Sequence, residues 1–90
     1  MKKIEPILKY LGNNIKKARL RRNVTMETLA QNANISIPTL RNIENGKNIS
    51  LESLIKILIE LQLEKDILKI AHSDNEGRNL QDNNLKKRAK

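Results

Sequence analysis

Between Thr25 and Ser50 the chain carries helix start and stop signals so closely spaced that only short helices fit between them. Thr25 is an N-cap residue, and Glu27 follows in the first turn, where a carboxylate favours the helix N-terminus. Leu29, Ala30 and Ala33 give that helix one buried side. Asn34 tolerates the left-handed conformation that ends helices, and Ile35 follows as an apolar plug. Ser36 then caps the next helix, with Pro38 close to its first position. Leu40 and Ile43 are buried on a helix reaching about Glu44, where Asn45-Gly46 is a clear stop. The two helices are joined by Ala33-Asn34-Ile35-Ser36, and small Ala30 lets the second approach the first closely.

The flanks read as helix too. Residues 1–6 form a flexible arm, with Pro6 suited to a first helical turn. Ile7, Leu8, Leu11, Ile15 and Ala18 recur at helical spacing to about Arg22, and Gly12 weakens or breaks that stretch near its middle. After the Lys47-Asn48-Ile49 loop, Ser50 caps a fourth helix with Leu51, Leu54, Ile55, Leu58 and Leu61 as its apolar stripe. A fifth helix, from about Glu64 to Ala71, carries Ile67, Leu68 and Ile70. Polar residues dominate 72–90, predicting a basic, disordered tail. The expected architecture is all-α: a compact five-helix domain over 7–71 between arm and tail.

Composition narrows the function. The chain has 90 residues and a formal charge of +8. Residues 1–24 hold eight Lys/Arg and one Glu, whereas 25–71 are nearly balanced. A basic block beside a neutral core fits a surface for a polyanion. Tyr10 is the only aromatic residue, which disfavours single-strand binders that stack bases on rings. There is no cysteine, so disulfides, thiolate metal sites and cysteine nucleophiles are excluded. His72 alone forms no metal cluster, and Glu64 and Asp66 have no nucleophile or metal to work with. No enzyme activity and no cofactor are expected. Without an apolar run of signal or membrane-spanning length, the expectation is a cytoplasmic protein.

The short helices and turn have helix-turn-helix geometry, which presents the second helix of the pair to a DNA major groove. The run Ile15…Arg19…Thr25…Leu29-Ala30…Ala33…Ile35-Ser36…Leu40…Ile43-Glu44-Asn45-Gly46, then Leu51…Leu54…Leu58, resembles the phage repressor/Cro class, called XRE-type. The resemblance covers roughly residues 8–71. It implies a double-stranded DNA-binding transcriptional repressor whose third helix is the recognition helix. Ile37, Pro38, Arg41 and Asn42 would meet bases: Arg41 can grip guanine, Asn42 can pair with adenine, and the apolar pair can touch thymine methyls. Thr39 would lie near the backbone or a base edge. Phosphates would meet the amides near Thr25 and Met26, and the loop of Asn45, Gly46, Lys47 and Asn48. Relatives often carry Gln where this chain has Met26, so that side-chain clamp is missing here. Lys16, Lys17, Arg21 and Arg22 of the first helix would add compensating charge, with Lys16 and Arg22 the leading candidates. The resemblance also implies a structural ion pair between Arg19 and Glu44.

Apolar residues exceed what one helix face needs. Ile57 and Ile59 flank the fourth-helix stripe, and with Leu63, Ile67 and Ile70 they suggest a homodimer interface for reading a palindromic operator. The resemblance extends to HipB-like antitoxins, which implies an autorepressor paired with a HipA-type kinase toxin; Lys86-Lys87-Arg88 and Lys90 fit that reading. A stand-alone or phage-type repressor stays open beside it. So does a helix-turn-helix adaptor that binds only protein, although Arg41, Asn42, Lys47 and the basic block would then be superfluous. A membrane-surface role for the basic amphipathic stretch from Pro6 to Arg22 would require Leu11 and Ile15 to leave the core.

Overall fold

A computed structural model describes residues 3–72 and 74 of the chain. The described residues form five helices in the order α1 (Ile4–Arg21), α2 (Met26–Ala33), α3 (Ile37–Glu44), α4 (Leu51–Glu60) and α5 (Glu64–Leu68). No helix among them is long and apolar enough to cross a membrane. Most of the tail expected over 72–90 lies outside the described residues.

Three helices start in the same way. Thr25, Ser36 and Ser50 each take an extended backbone, and each side-chain oxygen accepts from the backbone N–H three residues on, at 3.1 Å. In every case that third residue is itself a hydroxyl residue, Thr28, Thr39 or Ser53, whose oxygen lies 2.7–2.9 Å from the capping oxygen. Each cap contributes about 1 kcal/mol.

Four helices also stop in the same way. Asn23, Asn34, Gly46 and Gln62 have positive φ. In each case the following N–H reaches back five residues: Val24 to Arg19, Ile35 to Ala30, Lys47 to Asn42 and Leu63 to Leu58. This is the Schellman closure, which satisfies carbonyls that the helix leaves open.

The core gathers Ile15 and Ala18 of α1, Leu29, Ala30 and Ala33 of α2, Leu40 and Ile43 of α3, and Ile57 and Leu61 around the end of α4. The α1 helix packs on α3, while α2 lies against both α3 and α4. Ala30 is fully covered where α2 meets α3, consistent with a small residue at a close crossing.

Five expectations need correction. The first helix begins at Ile4 rather than beyond Pro6, because proline is tolerated in a first turn whose N–H groups have no helical acceptor. Gly12 does not interrupt that helix; it is buried against α3, where an added Cβ would overlap the carbonyl oxygen of Ile43 and lie 3.0 Å from that of Glu44. The buried stripe of α4 is Leu54, Ile57, Leu58 and Leu61, so Leu51 is 62 % exposed. Ile57, expected in a dimer interface, is 0 % exposed inside the monomer core and has no surface for a second copy. The last helix closes at Leu68, not at Ala71.

The Ile43 carbonyl cannot easily retreat from Gly12, because it also accepts from the Gly46 N–H at 3.0 Å. Gly12→Ala is therefore expected to lower unfolding free energy by about 1–3 kcal/mol through overpacking, despite the roughly 1 kcal/mol gain in helix propensity. Urea titration of the variant measures this. An unchanged midpoint would mean that α1 and α3 separate freely.

Candidate nucleic-acid interface

The α3 helix has two unlike sides. Leu40, Ile43 and Glu44 are buried, whereas Pro38, Arg41, Asn42 and Asn45 are exposed. The exposed four stand at i, i+3, i+4 and i+7, which places them on one face. Ser36 caps the start of this helix, and the turn at Asn45-Gly46 closes its end. The result is a short rod, fixed at both ends, with one arginine and two asparagines turned outward.

What holds the rod is a bidentate ion pair. Arg19 donates from Nε to Glu44 Oε2 at 2.7 Å and from Nη2 to Glu44 Oε1 at 3.0 Å. Its Nη1 donates to the Val24 carbonyl at 3.0 Å, so one guanidinium ties α1, the α1–α2 turn and the last residue of α3. Arg19 is only 7 % exposed and Glu44 8 %. The Glu44 hydrogen bond holds the guanidinium above its ordinary pKa against the opposing effect of burial, and the charges of Glu44 and Glu27 act in the same direction. Among the described residues no buried side-chain nitrogen or oxygen lacks a partner.

The remaining candidates fall into different situations. Ile37 is half-buried and packed against the core, leaving only part of its side chain outward. Thr39 is half-buried, and its hydroxyl is engaged with Ser36. Thr25 is exposed at the start of α2, whereas the Met26 side chain packs on the core, so only the backbone of Met26 is polar there. Asn45, Lys47 and Asn48 are exposed around Gly46. Arg22 donates to the Ala18 carbonyl at 2.8 Å, closing the end of α1 with part of its guanidinium.

Charge on α1 is divided between two sides. Residues 9, 12, 16 and 19 share one stripe of a helix, and Gly12 and Arg19 both touch α3. Exposed Lys9 and Lys16 therefore flank α3, and Lys9 lies directly beside Gly46. Lys17 and Arg21 are on a different side. Sequence reasoning missed Lys9, because nothing local connects position 9 to position 46. The arrangement sets exposed cations beside an exposed polar helix face, which suits a duplex: phosphates for the flanks and base edges for the centre.

These features define a DNA-binding helix-turn-helix domain. A helix-turn-helix family model matches residues 15–68, from the middle of α1 to the last residue of α5. The match spans more than half of the chain, which belongs to the XRE-type helix-turn-helix family of transcription regulators. A comparison with curated proteins gave no match.

Since the Arg19–Glu44 pair is buried, removing either partner strands a charge. Arg19→Ala and Glu44→Ala are each expected to destabilise by about 3–5 kcal/mol, and the double variant by less than the sum. Denaturant titration of the three variants closes the cycle. Strict additivity would show that the two side chains act independently.

Proposed function

We propose that this protein is a sequence-specific, cytoplasmic repressor that sets α3 in the major groove of a palindromic operator and binds it as a homodimer. The observation that carries the reading is the division of α3: one side buried and clamped through Glu44, the other exposing Pro38, Arg41, Asn42 and Asn45 together. Arg41 is assigned to guanine and Asn42 to adenine, the pairings their side chains form bidentately. Pro38 and the outward part of Ile37 are assigned to thymine methyls.

Phosphates are assigned to the α2 start at Thr25 and Met26, to Thr39, to Asn45, Lys47 and Asn48, and to Lys16 and Arg22. Lys9 joins this group by its position beside Gly46. Ile59, Leu63, Ile67 and Ile70 remain the proposed dimer residues after the removal of Ile57. Within this reading the protein represses its own operon as the antitoxin of a HipA-type kinase, a proposal supported by the resemblance to HipB-like proteins. Binding to a kinase encoded next to it tests that part; without such a neighbour it is a stand-alone repressor.

Two substitutions separate base reading from charge. Arg41→Ala is expected to weaken operator binding by about 1–3 kcal/mol and relax sequence choice at one position; unchanged affinity in a fluorescence anisotropy titration would remove Arg41 from the base contacts. Lys47→Ala is expected to weaken binding to all sequences alike and flatten the dependence on salt by about one counterion. An unaltered slope would place Lys47 off the phosphates.

A further inference from the structure

Asn45 is the one asparagine of the sequence that is followed by glycine. That pair carries a chemistry of its own. The backbone nitrogen after an asparagine attacks the side-chain amide carbon, closing a five-membered succinimide as the carbon–nitrogen bond of the amide breaks and ammonia leaves. Water then opens the ring at either carbonyl, giving aspartate or isoaspartate. A side chain on the attacking residue hinders closure, and glycine has none. Here the pair ends α3, and Asn45 is exposed on the face that also carries Pro38, Arg41 and Asn42.

The folded backbone holds this reaction back in three ways. Closure needs the Gly46 nitrogen nearly eclipsed with Cβ of Asn45 about the Cα–C bond. Asn45 has ψ 5°, which eclipses that nitrogen with the residue's own backbone nitrogen and leaves Cβ turned well away. Next, the Gly46 N–H donates to the Ile43 carbonyl at 3.0 Å and the Lys47 N–H to the Asn42 carbonyl at 2.9 Å. The nucleophile is released only when those bonds break. Finally, Lys9 covers Gly46, its Cα lying 2.8 Å from where a Cβ would stand, so the turn has no room to swing towards α1. Reaction therefore requires the last turn of α3 to open, and the neighbouring Arg19–Glu44 pair resists that opening. When opening and closing are fast, the rate follows the population of the open form.

We infer that Asn45 is a modification site, at which spontaneous deamidation, gated by opening of the α3 C-terminal turn, disables the DNA-reading face. Aspartate there sets a carboxylate among groups assigned to phosphates and bases. Isoaspartate also lengthens the main chain by one carbon, which breaks the closure that ends the helix. Operator held against Asn45 and Lys47 keeps the turn shut, so the unbound protein ages and the bound protein is spared. The inference rests on the operator reading above and adds to it a chemical lifetime for the free protein.

The full-length chain is incubated in mildly alkaline buffer made with oxygen-labelled water, natively and in guanidinium chloride, and its proteolytic peptides are weighed. Labelled aspartate and isoaspartate are expected at position 45, forming at least about tenfold more slowly in the native protein. Arg19→Lys, which keeps the charge but loses the fork, is expected to move the native rate towards the denatured one. A saturating duplex of the chain's own promoter is expected to slow it further. Aged protein and Asn45→Asp are each expected to bind that duplex at least about tenfold more weakly than fresh wild type, and Asn45→Asp more weakly than Asn45→Ala. No modification at position 45 in the denatured chain, equal native and denatured rates, or aged protein that binds as fresh protein does would each overturn the inference. Fresh wild type that ignores the duplex would count against the operator reading instead, while the peptide masses still decide whether the fold gates the reaction.

Discussion

The α3 helix is eight residues long, too short to hold itself in place. Its position is set where α1 crosses its C-terminal end. Two contacts fix that crossing: the absent side chain of Gly12, which lets the backbones touch at Ile43, and the Arg19–Glu44 pair two turns further along. One sets the distance and the other sets the rotation. Because Arg19 also holds the Val24 carbonyl, the same guanidinium orients the turn from which α2 starts. Everything the outward face of α3 presents depends on this joint.

The joint also explains how a small core suffices. The buried residues are few and mostly aliphatic, so stability is distributed among them, three hydroxyl caps and four left-handed closures. These devices favour a single register for each helix. A buried ion pair contributes little net stability over an apolar replacement, but misplacing either partner is costly. That asymmetry suits the reading role proposed for α3, which would need its outward side chains held in one geometry.

Much of the layout was legible because helix ends are written locally. Thr25, Ser36 and Ser50 announced starts, and Asn34 and Gly46 announced stops, through side chains acting within a few residues. Gln62 was not legible: glutamine has no preference for positive φ, and it takes that conformation because Leu61 and Leu63 must both reach the core side. The phase of α4 was misread for a related reason. Leu51, Leu54, Ile55, Ile57, Leu58 and Ile59 leave scarcely any polar side, so periodicity alone could not decide which of them is buried. Gly12 read as a weakness because glycine is unfavourable in an isolated helix; its use appears only when a second helix lies against it. The Arg19–Glu44 pair came from family resemblance, and neither residue's local pattern distinguishes it from the other charges.

By itself the sequence determined the helical class, both ends of α2 and α3, the start of α4 and the concentration of positive charge in the first helix. Those properties follow from interactions within a turn or two of chain, or from composition. Only the tertiary structure decided which side of each helix is covered, that Ile57 belongs to the monomer core, that Lys9 stands beside Gly46, and that Ile4, Ile7 and Tyr10 on the first turns of α1 stay exposed. Such facts depend on residues tens of positions apart being brought together, and no local propensity encodes that distance.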